Sequence, residues 1–134
     1  MAVDKVLGFE GIGELTATFK VASGTTPEVG MAVAFTGNGE VGKATEGTAV
    51  GGVIKHVNGD GLVTVQVKGF VENVAITSTS AKQPSVGDVV AVDGAGGLVK
   101  LASLTVADTK ATVVGFGARV VSVDTTNKLA TIIL

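Results

Sequence analysis

Cysteine, tryptophan and tyrosine are all absent from this chain of 134 residues, and histidine occurs once, as His56. Without cysteine there is no disulfide, no thiolate nucleophile and no Cys-based metal site. Aromatic residues stop at five Phe, so the core has to be built from Val, Leu, Ile and Ala. Charged residues make up only 16%, and the formal net charge is −2. Arg119 is the one arginine and no basic cluster stands out, which argues against nucleic acid as a partner. No apolar run approaches the roughly 18 residues of a membrane-spanning helix, so no membrane is expected either. The opening MAVDKVLGFEG carries Asp4 and Glu10 and lacks a signal-peptide core, which predicts a protein made in a cytoplasm.

What is present favours strands. Hydrophobic residues reach 46%, and glycine, at 20 residues, is about twice its usual share. The glycines punctuate short apolar runs rich in Val and Thr, whose β-branched side chains suit a pleated surface. In Glu14–Val21, the residues Leu15, Ala17, Phe19 and Val21 share one face and Thr16, Thr18 and Lys20 the other, the pattern of a strand with one wet face. In Leu62–Lys68 the polar residues Thr64, Gln66 and Lys68 again lie together. Between Gly51–Val57 and Leu62–Gly69, the tetrapeptide Asn58-Gly59-Asp60-Gly61 is a hairpin signal, because Asn and Gly tolerate positive φ. Further strands are expected at 71–77, 88–92, 98–101, 111–123 and 128–134, with Asp124–Asn127 as the last hairpin turn and a single helical turn at Leu101–Leu104. Segments 22–28 and 78–85 read as loops.

The stretch GNGEVGK, residues 37–43, has the GxGxxG spacing of a dinucleotide site. Such a site needs a helix after the last glycine, to aim its N–H groups at a pyrophosphate. The residues that follow, ATEGTAVGG, oppose a helix, since each interior Gly costs about 1 kcal/mol relative to Ala. A repeat decides the matter. TPEVGMAVAF at 26–35 matches QPSVGDVVAV at 83–92, and at the same offset Gly37 meets Gly94, Gly39 meets Gly96 and Lys43 meets Lys100. Gly42, the third glycine of the fingerprint, meets Val99 and is lost. GNGEVGK is therefore read as a hairpin turn and no nucleotide is expected. Further on, Gly52–Val57 corresponds loosely to Gly115–Val120.

Residues for chemistry are few. His56 lies between Lys55 and Val57 on an expected strand, and nothing marks a partner for it. Asp60, Asp88, Asp93 and Asp124 sit at turns or strand ends, where Asp bonds the local backbone, and they do not follow a calcium-loop pattern. Ser23, Ser78, Ser80 and Ser85 lie in loops without a nucleophile elbow. The expectation is a protein that is not an enzyme and holds no cofactor or metal. The fold expected is all-β, a compact β-sandwich or β-barrel built from two related β-hairpin units. Residues 14–134 would form a single β domain with an internal repeat at about 26–69 and 83–134. Residues 1–13 would form a Gly-rich N-terminal arm.

The strand Pro84-Ser85-Val86-Gly87-Asp88-Val89-Val90, its looser copy Pro27–Val33, the Gly hairpin after each and the closing hairpin of Val and Thr carry a resemblance. Over about residues 14–134 the chain resembles the small decoration, or cement, proteins of tailed-bacteriophage heads. The resemblance implies a structural virion protein that binds the outer surface of a capsid, with the major capsid protein as partner. It also implies a homo-oligomer, often a trimer where capsomers meet. In that setting the arm residues Val6, Leu7, Phe9 and Ile12 become candidate contacts to the capsid or to a neighbouring copy. Two other readings stay open: a tail or spike β-domain, and a carbohydrate-binding module, which the lack of Trp and Tyr disfavours.

Overall fold

The computed structural model describes residues 14–101 and 117–134. Ten strands account for most of them: β1 Leu15–Val21, β2 Ala32–Gly37, β3 Glu40–Gly42, β4 Gly52–Gly59, β5 Leu62–Lys68, β6 Phe70–Ala75, β7 Val90–Val92, β8 Leu98–Lys100, β9 Arg119–Asp124 and β10 Leu129–Ile133. The protein is nearly all β, and the one departure among the described residues is a 3-10 turn at Ser80–Lys82. The helical turn expected at 101–104 falls, beyond Leu101, outside the described residues, as does the arm.

Strands β1-β3-β2-β4-β5 close into a barrel. β1 completes it by pairing parallel to β3 through Lys20↔Glu40 and Val21↔Val41 and antiparallel to β5. The remaining strands form a three-stranded sheet, β6-β10-β9, and a hairpin, β7-β8. Single bridges join them: Ile76↔Leu98 links the end of β6 parallel to β8, and Val89↔Arg119 links β7 antiparallel to β9. The order is then β6-β8-β7-β9-β10, with β10 returning to β6, which repeats the first barrel strand for strand.

The hydrogen bonds agree in detail. Ala22 N donates to Val41 O in the first unit, as Thr77 N does to Leu98 O in the second. Gly30 N donates to Ile54 O, and Gly87 N to Val120 O. β4 bulges at Lys55 and β9 at Val121, each between the same two partners of the following strand. These registers match Ile54 to Val120, so the sequence match of Gly52–Val57 to Gly115–Val120 is out by three residues. Loose similarity of Gly and Val cannot fix a register, whereas the bulge can. The structural repeat also takes in one strand more at each start, β1 and β6, than the sequence match shows.

The repeated P-x-V-G is a β-turn. Met31 N donates to Glu28 O and Asp88 N to Ser85 O, and Gly30 and Gly87 have φ of 91° and 90°, the conformation a type II turn demands of its third residue. GNGEVGK is the β2–β3 hairpin, with Asn38 and Gly39 at its tip.

Val33, Val41, Ile54, Val63 and Val65 fill the first barrel. Val90, Leu98, Val120, Ala130 and Ile132 fill the second, and Ala32, Ala34 and Val53 from the outer surface of the first barrel join that same cluster. The two units thus share a core.

Two expectations are corrected. β1 does not have one buried face: Leu15, Ala17, Thr16 and Thr18 are all exposed, and only Phe19 and Val21 are half-buried. The reason is local, because β3 reaches only as far as Lys20 and Val21. Gln66, read with the wet face of β5, is completely buried. The chain crossing from β5 into β6 folds over it, and its Nε2 donates to Lys68 O (3.0 Å) and Phe70 O (2.8 Å).

Candidate functional site

The turns account for most of the expected aspartates. Asp93 Oδ1 accepts from the amides of Ala95 (2.7 Å) and Gly97 (2.9 Å) and holds the β7–β8 loop. Asp88 Oδ2 accepts from Ser85 N at 2.8 Å and closes the second P-x-V-G turn. Asp60 takes a left-handed φ of 54° in the β4–β5 turn. His56 is exposed on β4 opposite Thr64, and Arg119 is exposed on β9. His56 lies on the first unit, whereas Arg119 lies on the second, where Val120 N donates to Asp88 O. Among the described residues no group of three or more His, Asp or Glu side chains could hold a metal ion, and no helix is long and apolar enough to cross a membrane.

Asp124 shows how firmly such turns hold their carboxylates. Oδ2 accepts from the Asn127 side chain at 2.7 Å, and Oδ1 from the amides of Asn127 and Thr126 at 3.1 Å each. These bonds, the Asn127 side chain first, hold its pKa below the ordinary aspartate value. Because the folded value is the lower one, the resulting stabilisation is present above the unfolded-state pKa and is lost as pH falls through the folded value. Asp124→Ala should melt below the wild type at neutral pH, and the two melting curves should converge in acid. A gap that persists in acid would assign the loss to something other than the carboxylate.

A cleft of about 330 Å³ lies where the units meet. Glu28, Gly30 and Met31 of the first turn face Asn73 and Ala75 of β6 and Gly96 of the β7–β8 loop across it. Asn73 has φ 58°, as the bulged residue of β6, where Val74 and Val71 face Ala130 and Ile132. The cleft is open and its polar groups are unlike one another, so it specifies no ligand.

The outer surface is more informative. Val29 and Val86 stand at the tips of the two P-x-V-G turns, 66% and 67% exposed. Phe35, on β2, is 57% exposed and meets the half-buried ring of Phe19 at 5.6 Å. Sequence reasoning did not single out any of the three. For the valines the signal was in the repeat, which keeps P-x-V-G in both copies. For Phe35 there was none, since it ends an apolar run that reads as core. Val6, Leu7, Phe9 and Ile12 lie outside the described residues. Comparison with family models, with curated proteins and with solved structures found no match.

Proposed function

We propose that this chain is a structural protein of a phage particle, binding the outer surface of the capsid and tying neighbouring coat subunits together. One observation carries the reading: the duplicated barrel presents the same exposed apolar contact twice. TPEVGMAVAF and QPSVGDVVAV share five residues of ten. Four of these have reasons within the barrels. Gly30 and Gly87 supply the left-handed turn residue, and Pro27 and Pro84 stiffen the approach to it. Val33, Val90, Ala34 and Ala91 are buried. The fifth, Val29 or Val86, is exposed in both copies, and the turn conformation does not call for valine there. A contact made twice by one rigid molecule suits a partner that is itself repeated, as a coat lattice is. Two modest contacts then act together through effective concentration.

The resemblance to decoration proteins supports the same reading and adds the major capsid protein as partner and the virion as location. Cosedimentation with expanded, undecorated shells of the cognate coat protein tests it. Saturable binding is expected, with Val29→Ser or Val86→Ser each weakening it about tenfold or more through the loss of one arm of a bivalent contact. Intact shells that bind no folded wild-type protein would remove the proposal and leave the tail or spike reading, which predicts a few copies per particle.

A further inference from the structure

We infer that Asn38 is a self-modifying site: the amide of Gly39 closes on its carboxamide, and the product loosens the seam of the first barrel. The chain has two Asn-Gly pairs, Asn38-Gly39 and Asn58-Gly59. Glycine in second place carries no Cβ to hinder its nitrogen as it approaches the preceding side chain. Gly39 and Gly59 take left-handed φ values of 64° and 87°, and a Cβ built on either meets nothing within 4 Å. What separates the two pairs is how each asparagine is held. Asn58 belongs to β4, its Nδ2 donates to Thr64 Oγ1 (3.1 Å), and Gly59 pairs with Leu62 of β5. Asn38 stands exposed at the tip of the β2–β3 hairpin, outside both strands, and no hydrogen bond among the described residues holds its side chain. Asn73 precedes the β-branched Val74, and Asn127 is bound to Asp124.

The reaction needs only water. Gly39 N gives up its proton and attacks Asn38 Cγ. The N–Cγ bond forms, the Cγ–Nδ2 bond breaks, and Nδ2 leaves with that proton as ammonia. Water then opens the succinimide. Addition at Cγ breaks the N–Cγ bond and leaves aspartate at position 38. Addition at the main-chain carbonyl carbon breaks its bond to Gly39 N and leaves isoaspartate, whose backbone runs on through Cβ and Cγ and is longer by a carbon.

That extra carbon falls at the seam. β1 joins β3 through Lys20↔Glu40 and Val21↔Val41, with Lys20 N donating to Gly39 O (2.9 Å) and Ala22 N to Val41 O (2.8 Å). Gly39 is thus both the attacking residue and the first anchor of the seam. Displacing it by a backbone atom shifts Glu40 against Lys20, as an inserted residue does in a bulge. The second unit is exempt. Its matching tip reads Ala95-Gly96, and the nearby Asp93 has its Oδ1 engaged by the amides of Ala95 and Gly97. The inference rests on the hairpin and is independent of the capsid reading.

The intact chain is aged at mildly alkaline pH and mapped by peptide mass spectrometry, with isoaspartate labelled by an isoaspartate methyltransferase. Asn38 should convert about tenfold or more faster than Asn58, because a hydrogen-bonded ground state adds to the barrier. In guanidinium chloride the two should convert at similar rates, since each is then an Asn-Gly pair in an open chain. Hydrogen exchange on the isoaspartate fraction should show the Lys20 and Ala22 amides exchanging about tenfold or more faster than in the unmodified protein. Thr77, the counterpart of Ala22, should be unchanged, and the aspartate fraction, whose backbone is unaltered, should keep the original rates. Asn58 converting as fast as Asn38 in the folded chain would overturn the proposal, as would a preference for Asn38 that persists in guanidinium chloride. Isoaspartate at 38 with Lys20 and Ala22 still fully protected would overturn the effect on the seam.

Discussion

Leu98→Ala is expected to lower the unfolding free energy by about 3 to 4 kcal/mol, within the range for truncating a fully buried leucine. Leu98 is 0% exposed and lies in the cluster that Ala32, Ala34 and Val53 of the first barrel share with the second. Its backbone holds Thr77 N through the carbonyl, and its Cα faces Val92 across the hairpin. The lining comes from several strands, so no single side chain can move in to close the cavity. A urea titration should show one transition, shifted to lower denaturant with an unchanged slope, because both barrels lose packing together. Two separated transitions would contradict a shared core. Val41→Ala, at the matching position of the first barrel, should cost less by about 1 kcal/mol, one methylene's worth of burial.

Gly52→Ala is expected to cost about 3 kcal/mol, at the upper end of the usual range for overpacking, which corresponds to a fall in Tm of roughly 10 °C for a domain of this size. The cause is steric. A Cβ at Gly52 would stand 2.5 Å from Gln66 O and 2.5 Å from Val65 Cγ1. A backbone carbonyl cannot turn aside as a side chain can. β4 would have to move off β5, and Val65 and Gln66 are both fully buried, so the displacement reaches the barrel core and the β5–β6 crossing together. Gly117→Ala is the control: nothing lies within 4 Å of the added carbon, and the change should stay within about 0.5 kcal/mol. Differential scanning calorimetry on the two variants checks both. A Gly52→Ala protein as stable as the wild type would mean that the two strands are not packed this closely.

The hairpins were legible because their turns carry their own chemistry. Within Asn58-Gly59-Asp60-Gly61, the pair Asp60-Gly61 links β4 to β5 while Asn58 and Gly59 end β4, and Asp124–Asn127 precedes β10, held by Asp124. The second reading needed no partner strand, only the fit of an Asp carboxylate to the next two or three amides. The surface contacts were not legible. Phe35 and Val92 occupy matching places in matching apolar runs, and their difference in exposure depends on which barrel has a neighbour. Gln66 alternates with Val65 and Val67 as a wet residue should, and is buried because the chain doubles back over it.

Composition, alternation and turn residues therefore determined an all-β chain with a duplicated, glycine-punctuated hairpin, since these are local properties with a period of two. They left sandwich and barrel equally open, because the alternation is the same in both. Only the tertiary structure chose the barrel, through the pairing of β1 with β3 on one side and β5 on the other. It also set the true register of the repeat, the shared core and the exposed Phe35. Each of these arises from contacts between residues far apart in the chain, which no local pattern encodes.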